Sequence, residues 1–252
     1  MGCRLNVQFT TVLTQLSPSK IIHSPDMVCL VVGMRKKKIY CHSLLLAFYS
    51  GYFNGKLNSG SGESQTSEFV VMWDFDAEAM DIFVAWAYTG HIVEGKIVGL
   101  KLWVLGDRLL SPLFTNEVMY LLISLYHLEI TNALDVGYAM RNTAENSKLR
   151  IYMKDLFAWG NDIREFKRLR DRDPDDDDKA VPDYLKDRVK DWSVLLKEGG
   201  DFILEVLILG FNRADATTKD LPSYWRNQKK YLKPYDKRSA KDFIRDKPRT
   251  GT

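Results

Sequence analysis

The chain has 252 residues, 45% of them hydrophobic, with 36 Lys and Arg against 33 Asp and Glu and a formal net charge of +3. That length holds one large or two small domains with an ordinary core, and the net charge is too small for binding polyanions along the whole chain. No window reaches the uninterrupted apolar length of a membrane span, and the three cysteines, Cys3, Cys29 and Cys41, lack the spacing of a metal site or a disulfide framework.

The opening segment, residues 1–22, shows no basic flank followed by a long apolar run, so no secretion signal is expected. Gly2 is not followed by a hydroxyl residue at position six, which is Asn6, so the acylation pattern fails. Met27–Val32, MVCLVV, suits a strand buried on both faces. Gly33 breaks it, and Arg35-Lys36-Lys37-Lys38 reads as a solvated hairpin tip in preference to a nucleic-acid patch, since Ile39-Tyr40-Cys41 begins a second strand. Cys29 and Cys41 then lie on neighbouring strands, as small buried hydrophobes of a reducing compartment, cytoplasmic or nuclear.

His42–Ser50, HSLLLAFYS, has almost no polar face and predicts a central helix, after which Gly51-Tyr52-Phe53 is expected to turn the chain. His42 has no thiolate or carboxylate partner at triad or metal spacing, which favours a structural histidine over a catalytic base. Residues 55–67 are small and polar and read as a loop. Asp76 is a good N-cap for a helix whose stripe is Met80, Phe83, Val84 and Ala87, widened by Ile82 and Trp86 and closed by Gly90 in the left-handed C-terminal position.

The order of these elements resembles the BTB/POZ domain over residues 23–128. The family pattern has an Asp before an apolar strand, a hairpin, a His opening a helix and Ser-x-x-Phe ending it, matched here by Asp26, His42, Ser50 and Phe53. Phe69–Met72 resembles the family's third strand, Trp86-Ala87-Tyr88-Thr89-Gly90 the end of its long helix, Leu102–Leu110, LWVLGDRLL with Asp107, its leucine-tyrosine-x-x-alanine-aspartate helix, and Pro112–Ile123 the helix after it. The resemblance implies an α+β fold, a small sheet flanked by helices, with no catalytic site and no cofactor. It implies protein partners: another BTB protein, or the cullin scaffold of a ubiquitin ligase. In many BTB dimers a basic residue follows the His and faces the early Asp. Here that residue is Ser43, so the strand-exchanged homodimer loses a charge pair, and Asp26, if buried, needs a hydroxyl, an N–H or another cation. Leu102, Trp103, Leu109, Phe114 and Tyr120 exceed what one stripe buries; they are candidates for a partner surface or for covering the appended helices.

Residues 129–211 read as an α-helical extension, similar to those that follow BTB domains in uncharacterised fungal proteins. One predicted stripe is Leu134, Tyr138, Val136 and Met140. A second is Leu149, Tyr152, Met153, Leu156 and Phe157, with Ser147 as N-cap. A third is Leu185, Val189, Trp192 and Leu196, and a fourth runs from Asp201 to about Leu209. The acidic run in residues 171–179 lacks the alternating ligands and glycine of a calcium loop and reads as a solvated linker. Residues 212–252 read as a disordered basic tail. Its cations, interleaved with Trp225, Tyr231, Tyr235 and Phe243, are also the ingredients of nucleic-acid binding, which keeps a nucleic-acid-associated or transcription-linked factor as the alternative. His23, His42, His91 and His127 form no catalytic or metal motif, so the chain reads as an interaction protein and not an enzyme.

Overall fold

A computed structural model of the chain describes residues 26–58, 69–92, 99–126, 133–159 and 227–234, together with 190, 193, 194 and 197. The described residues fall into two compact units, divided at Val118/Met119 and again at Leu232/Lys233.

In the first unit, β1 (Met27–Val32) and β2 (Lys37–His42) form an antiparallel hairpin, and β3 (Phe69–Met72) joins β1 in parallel, giving the order β2-β1-β3. The hairpin turn uses positive φ at Gly33 and Lys36. Gly33 is held to β3 by its N–H, which donates to the Met72 carbonyl at 3.0 Å. One face of the sheet, carrying Val28, Leu30, Val32, Ile39, Cys41, Val70 and Met72, is buried. Burial pushes the Cys41 thiol up to about 11, so it stays protonated and acts as a small hydrophobe.

The apolar run after β2 forms α1 (Ser43–Tyr49), but Gly51 does not turn the chain as expected: it opens a further helix, α2 (Gly51–Asn58). Ser50 explains the break. Its backbone is extended, and its hydroxyl accepts the Phe53 N–H at 3.2 Å, so it stops one helix and N-caps the next. The long helix α3 (Ala77–Thr89) is capped as expected: Asp76 accepts from the N–H groups of Glu78 and Ala79, both at 3.0 Å, and Gly90 takes φ 74°. α4 (Gly99–Arg108) and α5 (Pro112–Tyr126) complete the series, α5 running on past the division at Val118.

The second unit carries α6 (Ala133–Asn142) and α7 (Lys148–Trp159). α7 buries Leu149, Tyr152, Met153 and Leu156 as its spacing predicts, with Ser147 capping the Arg150 N–H. α6 departs from expectation. Its buried positions are Ala133, Val136, Gly137 and Ala139, while Leu134 is 64% exposed. Small residues let the helix sit close, and the larger Leu134 is the one turned outward. Arg150 donates to the carbonyls of Met140 and Thr143, placing a cation on the open C-terminal carbonyls of α6. The segment 1–22, the acidic run, Leu185, Val189, Trp192 and the fourth predicted helix lie outside the described residues; Lys190, Ser193, Val194 and Lys197 are helical and exposed.

Candidate interaction surface

The motif residues form the frame of the first unit. The Tyr88 hydroxyl accepts the His42 backbone N–H at 3.0 Å and lies 2.7 Å from His42 Nδ1, tying the start of α1 to the end of α3. Burial of this end of the ring pushes the Tyr88 phenol up to about 12, so it remains a neutral hydrogen-bonding group. Ser50 Oγ donates to the Leu109 carbonyl at 2.6 Å, and the N–H groups of Gly51 and Tyr52 donate to Leu110 and Leu109, fastening the α1–α2 joint to the end of α4. Phe53 and Trp86 are fully buried, Trp86 lying 4.9 Å from the Tyr49 ring and 5.0 Å from Phe114 between ring centres. For Asp26 the need for a buried partner does not arise. It is exposed, and it is its backbone carbonyl that accepts the Ser43 N–H, at 2.9 Å.

Four of the five proposed partner residues, Leu102, Trp103, Leu109 and Phe114, require correction. Leu102, Trp103, Leu109 and Phe114 are all at or below 1% exposure, and Tyr120 is half-buried. Residues without exposed surface cannot anchor a partner on the folded chain. Phe114 packs edge-on to Phe83 at 5.1 Å, so it belongs to the core of the domain. Gly106 allows that packing: a Cβ there would stand 2.6 Å from Thr115 Oγ1 and 2.9 Å from Phe114 Cδ1. Asp107 pairs with Lys233, whose ammonium also lies over the Trp103 ring at 5.3 Å. Asn116 holds both backbone groups of Lys233, accepting its N–H at 2.7 Å and donating to its carbonyl at 3.0 Å.

The tail is therefore ordered in part, contrary to expectation. Residues Gln228–Tyr231 form a 3-10 turn, and in the second unit Tyr231 is fully buried against Tyr152. Its hydroxyl donates to Asp155 at 2.6 Å, and Lys230 pairs with the same carboxylate at 2.7 Å. Asp155 is 3% exposed and charge-paired, which is how a buried carboxylate is tolerated. Trp225, Tyr235 and Phe243 lie outside the described residues.

The exposed apolar surface lies elsewhere, on the outer face of the sheet. Register places Tyr40, Cys29 and Phe69 in one row across the three strands, and Lys38, Val31 and Val71 in the next. Met27, Tyr40, Phe69, Val71 and Trp73 are each more than two-fifths exposed. Lys36 lies over the Trp73 ring at 5.3 Å and Lys38 over the Phe69 ring at 5.8 Å. Lys37, facing the other way, pairs with Asp81 on α3. The sequence signal for this face is the alternation Phe69, Val71, Trp73. It was masked because the intervening Val70 and Met72 are apolar as well.

Comparison with known proteins agrees with the frame. Residues 23–124 match the family model of the BTB/POZ domain. The chain thus carries a BTB/POZ domain, a protein-interaction fold, and the α+β architecture of sheet and helices described above is that of the domain. Kelch-like protein 40b of Danio rerio is 31% identical over 102 residues, which are 40% of this chain and 16% of that protein. Among solved structures, the BTB domain of human Gigaxonin is 14% identical with a TM-score of 0.35, covering 47% of this chain and 95% of that one.

Proposed function

We propose that this protein is a non-catalytic adaptor that works by surface recognition, with its BTB/POZ domain engaging protein partners in the cytoplasm or nucleus. The observation that supports the reading is the BTB/POZ match over residues 23–124, together with the use of its motif side chains, His42, Ser50, Tyr88 and Trp86, as struts of the fold. The likeness to a Kelch-like protein favours an adaptor of a cullin-type ubiquitin ligase, with the helical extension serving a second partner or presenting a client. A heteromeric role is preferred to the strand-exchanged homodimer, because Ser43 stands where a basic residue would meet Asp26. The nucleic-acid alternative loses three of its residues, Lys230, Tyr231 and Lys233, to internal contacts.

Mixing the purified full chain with purified cullin N-terminal domains and reading mass by size exclusion with light scattering tests this. The expected result is a one-to-one complex with one cullin and a monomer alone. Failure to join any cullin would discard the ligase role, and a stable dimer would discard the heteromeric one.

A further inference from the structure

We propose that the outer face of the β2-β1-β3 sheet is a docking surface for an extended, acidic segment of a partner protein, one that alternates carboxylates with apolar side chains. The proposal stands whether or not a cullin binds.

The face has the two parts such a segment needs. Its apolar part is Met27, Tyr40, Phe69, Val71 and Trp73, all substantially exposed; Phe69, Val71 and Trp73 follow one another at alternate positions from β3, and Tyr40 shares the row of Phe69 across Cys29, which is itself buried. A connected apolar patch on one face of a sheet, with the other face already forming the core, is unusual on a surface that meets only water. Its polar part is Arg35, Lys36 and Lys38, all exposed, and among the described residues no ion pair engages any of the three. Lys37 is different: it points to the opposite side and has Asp81. Among the described residues, the exposed carboxylates nearest in sequence, Asp26 and Asp74, are next to Met27 and Trp73 at the ends of their strands. β3 is an edge strand among the described residues, so a chain lying alongside it meets both backbone groups and the apolar row.

Charge decides the occupant. A second copy of the same face would set these cations against each other, which opposes self-association. Nucleic acid fits less well, because Lys36 and Lys38 cover the faces of Trp73 and Phe69 on which a base would stack. The same lysines lie beside apolar groups, so a ligand that carries acid and hydrocarbon at alternate positions satisfies both in one extended segment.

Fluorescence anisotropy of labelled peptides with the full chain tests this, using Glu-Val repeats, Lys-Val repeats and Glu-Ser repeats, with a labelled oligothymidylate as competitor. The Glu-Val peptide is expected to bind best and to weaken with added salt. Replacing both Lys36→Gln and Lys38→Gln should weaken it about tenfold, and Val71→Thr about threefold, through lost charge pairing and lost apolar contact respectively. Lys37→Gln, which removes the same charge from the opposite side, should change it less than about twofold. Equal binding of the Lys-Val peptide, equal weakening by Lys37→Gln, displacement by the oligothymidylate at lower concentration, or no binding of any peptide would each overturn the proposal. So would a gain of more than about tenfold on replacing Asp175–Asp178 by Asn, since the occupant would then be this chain's own acidic run.

Discussion

Two apolar regions of the first unit look alike in composition and differ in fate. The α4–α5 corner, with Trp103, Leu109 and Phe114, is sealed; the outer face of the sheet, with Tyr40, Phe69, Val71 and Trp73, is open. An excess of large apolar residues therefore does not mark a partner surface. The difference lies in what faces them. At the corner two helices approach so closely that Gly106 has no room for a Cβ, whereas the odd-numbered residues of β3, Phe69 and Val71, are 47% and 42% exposed. Exposure survives where a sheet has one face packed and the other unpartnered.

The sharpest way to break this comparison is to remove the same ring from each region. Phe114→Ala should lower stability by about 3–5 kcal/mol, because the cavity it leaves lies between Phe83 and Trp86. Phe69→Ala should change stability by less than about 1 kcal/mol, since the ring is 47% exposed. Urea unfolding of the two variants reads both values. Similar losses would mean that the sheet face is also core and would remove the docking proposal with it.

Next in size is Gly106→Ala. Adding one methyl group against Thr115 and Phe114 forces the two helices apart, at a cost of about 1–3 kcal/mol. A variant as stable as the parent would show that the α4–α5 contact is looser than the geometry implies.

Much of the frame was legible in the sequence because its signals are local. The Asp76 cap, the Gly90 stop, the stripe of α7 and the Ser147 cap each depend on residues within a few positions of one another, and each forms as the spacing predicts. What was not legible depends on contacts distant along the chain. Ser50 reads as the end of one helix, and its second role as the cap of another emerges when its hydroxyl, donating to the Leu109 carbonyl far along the chain, is turned to accept the Phe53 N–H. Tyr231 sits among cations in a stretch with the composition of a tail, and its burial rests on contacts distant in sequence, the Tyr152 ring and the buried carboxylate of Asp155. For the candidate surface, periodicity placed Phe69, Val71 and Trp73 on one side of a strand but carried no information on whether that side has a cover.

A smaller effect comes from Asp76. Its carboxyl is held below the usual carboxylate range, first by the Ala79 N–H and then by Lys101, whose ammonium is 3.2 Å away. Asp76→Ala should lose about 1 kcal/mol at neutral pH. The sign follows from the lowered folded pKa: the stabilisation is present above the ordinary aspartate value and is lost as pH falls through the folded one. The gap between parent and variant in thermal unfolding should therefore narrow in acid. A constant gap would mean that Asp76 stabilises α3 without its charge.

The smallest predicted effect is a gain. α4 ends with the Ser111 N–H donating to Gly106 and the Leu110 N–H donating to Asp107, the paired bonds of a helix stop that calls for a left-handed residue. That residue is Leu110, at φ 52°, where its Cβ crowds the backbone. It is 61% exposed, so little apolar burial is lost on removing its side chain. Leu110→Gly should therefore stabilise the domain by up to about 1 kcal/mol, the left-handed strain relieved less the added freedom of the unfolded chain. Its backbone carbonyl would still accept the Gly51 N–H at 3.1 Å, keeping the joint between α1 and α2 in place. A loss of stability in urea would instead show that the Leu110 side chain, which a Cβ at Gly51 would meet at 3.1 Å, supports that joint by contact. In that case one exposed leucine would belong with the sealed corner and not with the open face.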